Sequence, residues 1–373
     1  DGFHGVVVSR PTEAELTELL AERDAMLEIE KALEQEAGPL ATTDGVDVTI
    51  SANVEFPEEM ESLARVGAQG VGLYRSEFLF LSTSPALPAE DDHLEAYRAI
   101  AQKAGGQPVV IRTLDLGGEK YFHRVLEGGE ANPVLGLRAV RFCLARPDIF
   151  RTQLRGVLRA ASEFRSISIM VPMVSSIDEW RQVREFVDQV RRELVQEGVE
   201  LNHVPLGPMI EVPGAALVVD ALAKESDFLA VGTNDLVQYT LAVDRGNNAV
   251  SHLHQPWHPA VLRLVREIVL AGKREEIPVS LCGEMASDPL GALTLLGLGL
   301  TRFSCNIGVI PEIRAVLRHT SEAQAREVVA SAMERACTEE VREVLLEGFV
   351  PVLEKVLGSD MSGEVHRHGF TGY

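Results

Sequence analysis

Short apolar runs, each followed by a stretch with apolar residues at helical spacing, set the pattern of this chain. The runs are Val46–Asn53, Gly70–Tyr74, Pro108–Arg112, Ile167–Pro172, Val204–Ile210, Phe228–Val231, Val279–Leu281 and Arg302–Cys305. Strands that alternate with helices pair in parallel, and eight such units match a closed (β/α)8 TIM barrel better than an open sheet. Ahead of them, Pro11-Thr-Glu opens a Glu-rich helix reaching about Glu36, with Thr12 as its cap, before the Gly38-Pro39 break. The third connection is oversized. Between Asp115 and Ser166 lie a Gly-rich stretch (Leu116-Gly-Gly-Glu-Lys120, Gly128-Gly129) and two helical patterns, where a barrel would place a substrate-covering insertion. The expected organisation is a linker and connecting helix over residues 1–40, an α/β barrel over 41–358 and a tail over 359–373.

Charge narrows the partners. With 35 basic against 56 acidic residues among 373, a formal net charge of -21, the chain is not built for nucleic acid or an anionic membrane. An anionic ligand would need a local arginine cluster. Cys143, Cys282, Cys305 and Cys337 have no CxxC or zinc spacing, and no run reads as a signal peptide or membrane span, so reduced thiols and a cytoplasmic location are expected.

The chemistry-bearing residues stand where strands give way to loops, which is where barrel enzymes carry their reacting groups. Gly207-Pro-Met-Ile-Glu-Val-Pro213 and Gly232-Thr-Asn-Asp-Leu236 place Glu211 and Asp235 at the ends of successive strands, pointing the same way. Two hard oxygen ligands without a His or Cys cluster suit Mg²⁺, or Mn²⁺, completed by an anionic substrate. The same residues read equally well as a turn and a helix-start acid. Arg75, Arg112 and Arg245 occupy comparable positions; their planar forks suit carboxylate and phosphate, and three could offset a trianion, although each alone could be a structural ion pair. Cys282 is a nucleophile, a proton donor or plain packing. His252, His254 and His258 share an extended segment but lack the further ligands of a structural zinc site. No Gly-x-x-x-x-Gly-Lys-Ser/Thr loop is present.

Several long motifs in one order resemble the phosphoenolpyruvate (PEP)-binding half of enzyme I of the bacterial phosphotransferase system. They are Gly70-Val-Gly-Leu-Tyr-Arg-Ser-Glu-Phe-Leu-Phe80, Ile111-Arg-Thr-Leu-Asp-Leu-Gly-Gly-Glu-Lys120, Asn132-Pro-Val-Leu-Gly-Leu-Arg138, Met209-Ile-Glu-Val-Pro213, Gly232 to Asn247 and Cys282-Gly-Glu284. Pyruvate phosphate dikinase and PEP synthase share the general pattern. The resemblance implies that Glu211 and Asp235 bind Mg²⁺, Arg75 and Arg112 hold the phosphoryl group, Asn234 and Arg245 position PEP, and Cys282 protonates the methylene carbon. Lys120, Asn132 and Arg138 would complete the pocket. It further implies a homodimer, a phosphocarrier protein as downstream partner, and a histidine acceptor on a swivelling domain. The acceptor's Gly-Gly-x-Thr-Ser-His-Ala type sequence is absent here, so a fragment of a longer enzyme is expected, with a free-standing domain that acts with a partner as the alternative. A metal-dependent pyruvate aldolase and a non-catalytic PEP sensor are the readings from other classes.

Overall fold

The computed structural model describes residues 8–17, 19–20, 23, 38–83, 87–116 and 132–358. Eight strands close into one barrel in sequence order: β1 (Thr49–Val54), β2 (Val71–Arg75), β3 (Val109–Arg112), β4 (Ile167–Val171), β5 (Leu206–Ile210), β6 (Leu229–Val231), β7 (Val279–Leu281) and β8 (Arg302–Asn306). Every neighbouring pair is parallel, including β1 with β8. All eight expected strands are present. Parallel strands are buried on both faces, by helices outside and by each other's side chains inside, so they read as apolar runs. Most core residues form one large cluster between sheet and helices, whereas Leu73, Met170, Met209, Ala230 and Cys282 form a small separate one, with Val110 and Phe228 packed against it.

That small cluster fills the barrel interior, and side-chain alternation carries the same direction to the strand ends. Two residues beyond Val110 stands Arg112, beyond Met209 stands Glu211, and beyond Ala230 stands Gly232. Arg75 needs an extra device. The ladder partners jump from Ala52↔Val71 to Asn53↔Leu73 on one side of β2, and from Val71↔Val109 to Tyr74↔Ile111 on the other. One surplus residue at Gly72-Leu73 therefore makes a bulge, which brings Leu73, and with it Arg75, to the inner face. Glycine is required there: a Cβ on Gly72 would collide with the Ser304 side chain and lie 3.0 Å from the Ser51 Cβ.

Around the barrel, the segment between Glu211 and Asp235, with apolar residues at helical spacing from Ala215 to Glu225, forms two short helices, Pro213–Leu217 and Val219–Lys224, broken at Val218 (φ -113°, ψ 21°). The enlarged third connection carries helices Ala139–Ala145 and Pro147–Glu163; its Gly-rich part, with Lys120, lies outside the described residues, as do most of the expected amino-terminal helix and the tail. Thr12 does cap: its Oγ1 accepts from Glu15 N–H at 3.3 Å, and Glu15 Oε2 accepts from Thr12 N–H at 2.8 Å. Among the described residues no helix is long and apolar enough to cross a membrane, and the four cysteines are free.

Beneath the β2 and β3 ends, Gln153 Nε2 donates to Ser76 Oγ at 2.9 Å and to the Tyr97 hydroxyl at 3.1 Å, while its Oε1 accepts from Leu114 N–H at 3.0 Å. His93 Nδ1 lies 2.9 Å from the same hydroxyl. Burial pushes the His93 imidazole down from 6.5 to about 4. A depressed histidine is neutral in the fold and takes up a proton on unfolding. Its contribution is therefore complete above about 6.5 and is lost as pH falls towards about 4, by an amount on the order of 3 kcal/mol. Asp288 works in the opposite sense, because burial raises it from 3.8 to about 6 and its contribution fades as pH rises through that interval. Urea midpoints at pH 7 and pH 5 for the wild type and His93→Gln isolate the histidine: the wild type should lose more on acidification than the variant. Equal losses would remove His93 from the account.

Candidate active site

Three strand ends meet around one buried guanidinium. Arg112, at the end of β3, lies 3.1 Å from Glu77 Oε2 and 3.1 Å from Asp115 Oδ2, and Glu77 Oε1 in turn accepts from Asp115 N–H at 2.7 Å. Arg138, from the start of the helix Ala139–Ala145, donates to Asp115 Oδ1 at 2.8 Å, Asp235 Oδ2 at 3.2 Å and the Tyr239 hydroxyl at 3.1 Å. Arg245 Nη2 stands 3.6 Å from Asp235 Oδ1. The structure thus joins Arg112, Asp235 and Arg245 in one network with Glu77, Asp115 and Arg138. Arg75 stands at its rim, where its guanidinium pairs with Glu55 and lies over the Phe78 ring.

The electrostatics follow from this packing. Burial alone would lower the Arg112 guanidinium, but Glu77, Asp115 and Glu211 outweigh it and hold the group above its usual range. Burial likewise opposes the Asp115 charge, yet Arg112 and Arg138 keep that carboxyl below its ordinary value. Glu211 is the exception: burial raises it, and Asp235 and Asp115 push it further up, well beyond what Arg112 offsets. Its Oε1 accepts from Met173 N–H at 2.6 Å. Its Oε2 lies against Gly232, where a Cβ would come within 2.5 Å.

The arginines are already engaged. Four of them, Arg75, Arg112, Arg138 and Arg245, face at least as many carboxylates, Glu77, Asp115, Glu211 and Asp235, before the rim acid Glu55 is counted. By themselves these residues hold no surplus positive charge for a trianion. Yet Arg112 Nε and Arg245 Nη1 are buried donors without hydrogen-bond partners, and Asp235 Oδ1 is a buried acceptor without one. Orphaned donors beside an orphaned carboxylate oxygen suit a cation and an anion bound together. Glu211 and Asp235 fit a hard divalent ion that takes one or two carboxylates and completes its shell from water and substrate. Among the described residues no group of three or more His, Cys, Asp and Glu forms a closed metal cage. Gly232→Ala is expected to displace the Glu211 carboxylate, so the Mg²⁺ affinity expected of a Glu211–Asp235 pair should fall about 10- to 100-fold, as when metal-orienting contacts are lost; unchanged affinity by calorimetry would contradict it.

The β6 and β7 loops are locked together. Asn234 Nδ2 donates to Glu284 Oε1 at 2.9 Å and Glu284 N–H donates to Asn234 Oδ1 at 2.8 Å, while a Cβ on Gly283 would collide with Thr233. Cys282 therefore stands beside the start of the helix Thr233–Leu241 that carries Asp235. Burial pushes its thiol up to about 12, with Arg112 pulling down and Glu211 pushing up. A thiol so placed is protonated at neutral pH and suits donation of a proton. The histidines are spent separately: His254 Nε2 lies 3.1 Å from the Asn234 carbonyl oxygen, and His258 Nδ1 accepts from Ala260 N–H at 3.2 Å.

Residues 30–322 match the family described as PEP-utilising enzyme, PEP-binding domain. The chain belongs to this family. It is 40% identical over 346 residues to a phosphoenolpyruvate-protein phosphotransferase of Geobacillus stearothermophilus, which covers 91% of this chain and 59% of that protein. A phosphoenolpyruvate-protein phosphotransferase of Staphylococcus aureus is 40% identical over 347 residues, 92% of this chain and 60% of the relative. The chain thus spans about 60% of the length of these curated relatives. Among solved structures, a citrate lyase from Burkholderia xenovorans LB400 has a TM-score of 0.43 and 17% identity, covering 88% of this chain and 96% of that one.

Within this family member, sequence reasoning passed over Glu77 and Asp115 as site groups and left Arg138 without a defined role. A signal was present for the first two, since both acids lie within three residues of a strand-end arginine. For Arg138 the contact to Asp235 spans 97 residues, and no local pattern shows it.

Proposed function

We propose that this chain is the PEP-binding catalytic part of a phosphoenolpyruvate-protein phosphotransferase, which passes the phosphoryl group of PEP to a histidine on another domain and releases pyruvate. The observation that carries the reading is the joining of Arg112, Arg138, Arg245, Asp235 and Glu211 around one barrel mouth with a buried, protonated thiol beside them. Glu211 and Asp235 would hold Mg²⁺, which supplies positive charge to the phosphoryl and enolate oxygens. Arg75 and Arg112 would grip the phosphoryl group, Arg75 exchanging its Glu55 partner for the substrate, while Arg245 takes the carboxylate and Asn234 orients the molecule. As the bond from phosphorus to the bridging oxygen breaks, a histidine nitrogen forms the new bond to phosphorus in line and an enolate remains. The Cys282 S–H bond then breaks as its proton joins the methylene carbon, the enolate electrons become the new C–H bond and the carbonyl, and the thiolate regains a proton from water. A phosphocarrier protein downstream, a homodimer and a cytoplasmic setting complete the proposal.

The test is transfer of label from isotopically marked PEP, with Mg²⁺, to a separately produced histidine-bearing domain. Labelled histidine with matching pyruvate supports the reading. Release of pyruvate from a 4-hydroxy-2-oxoacid without labelling would replace it with an aldolase.

A further inference from the structure

The sheet holds β7 unequally: β6 pairs it over three positions, from Leu229↔Val279 to Val231↔Leu281, and β8 at one. Cys282 N–H donates to the Val231 carbonyl on β6 at 3.1 Å, but β7 meets β8 at a single pair, Leu281↔Phe303. The Cys282 carbonyl is taken by a side chain instead. Asn53 Nδ2 donates to it at 3.2 Å from β1, reaching past β8. Asn53 is itself firmly seated, because β1 pairs β8 over five positions from Thr49↔Arg302 to Asn53↔Asn306. Its amide has one workable orientation: the carbonyl of Cys282 can only accept, so the nitrogen must face it, and Oδ1 accepts from Ser304 Oγ at 2.7 Å. Ser304 is wholly buried, in the space left open by Gly72.

We infer that Asn53 is a positioning residue for Cys282: its amide holds the Cys282 carbonyl just past the last β7–β8 pair and sets where the thiol stands against the reacting carbon. Ser304 and Gly72 fix the amide and so act one step further out. The inference rests on Cys282 being the proton donor of the proposed function. Without Asn53 the Cys282 carbonyl loses its hydrogen bond while its N–H stays on β6, and the sulfur, now 3.6 Å from the Val231 carbonyl oxygen, loses its fixed bearing.

Asn53→Asp tests this with little change of shape, since it keeps an acceptor for Ser304 and puts a second acceptor against the Cys282 carbonyl. Two readouts are taken in a Cys337→Ser background, which removes the exposed thiol. The first is the rate at which iodoacetamide alkylates Cys282 in the metal-free protein, resolved by peptide mass. The second is exchange of the pyruvate C3 protons with D₂O in the presence of Mg²⁺, which needs no histidine domain. Asn53→Asp should alkylate faster and exchange about 10- to 100-fold more slowly, the range expected for a misplaced reacting group, while PEP affinity stays the same. Ser304→Ala should shift both readouts in the same direction by less. Wild-type rates of alkylation and exchange in Asn53→Asp, whether or not its melting temperature falls, would overturn the inference. If the wild type shows no exchange, Cys282 is not the donor and the proposed function fails, whereas alkylation still decides whether Asn53 holds that thiol.

Discussion

Arg112→Ala should abolish PEP binding and phosphoryl transfer and cost about 3–5 kcal/mol of stability, the usual penalty for breaking a buried ion network from one side. The stability loss has a definite origin. Glu77 and Asp115 would lose the guanidinium that lies 3.1 Å from each, and Glu211 would lose a cation that pulls its carboxyl down. The wild-type Asp115 carboxyl is held below its ordinary value of 3.8, so its contribution is present above that pH and is lost as pH falls through the depressed folded value. The gap between wild type and variant in urea should therefore be widest near neutrality and narrow in acid. Arg112→Lys separates charge from geometry. It keeps the cation but not the planar fork, so most of the stability should return while transfer stays about 100-fold down, the worth of one or two charge-assisted hydrogen bonds. Transfer at the wild-type rate in either variant would remove Arg112 from the phosphoryl-binding role.

Glu211→Gln should separate stability from function in the opposite sense. In the metal-free protein it removes a charge that burial, Asp235 and Asp115 all disfavour, so the variant should melt at or above the wild-type temperature at neutral pH. With Mg²⁺ at about 100 times its dissociation constant the wild type should gain about 2.7 kcal/mol through binding to the folded state alone, and the variant should gain almost none. Thermal melts with and without Mg²⁺ read both effects. A metal-dependent shift retained in Glu211→Gln would exclude this carboxylate as a ligand. A lower metal-free melting temperature would show that Glu211 is stabilising in its own right, through the Met173 N–H for example.

The barrel was legible because its strands are short, buried on both faces and separated by helical spacing; even Leu229–Val231, with three residues, stands out as an apolar run closed by Gly232. Strand ends then located Arg112, Glu211 and Cys282, since one alternation rule points them into the mouth, whereas Asp235 enters from the first turn of the helix Thr233–Leu241. What local sequence did not carry was pairing across the barrel. The arginines read either as cations for a trianion or singly as structural ion pairs; Glu55, Glu77, Asp115 and Asp235 engage them, which leaves no surplus positive charge among these groups. The β2 bulge had a signal in Gly72, a glycine inside an apolar run, and without it simple alternation would turn Arg75 away from the site. Asn53 had none, because its partner lies 229 residues away.

The most direct test of the account is calorimetric titration of PEP into this chain with Mg²⁺ present and with Mg²⁺ removed by chelation. The arginine-carboxylate balance predicts binding only with the metal, lost in Glu211→Gln and in Arg112→Ala. Equal affinity with and without metal, or no binding under either condition, would contradict a metal-dependent PEP site at this barrel mouth.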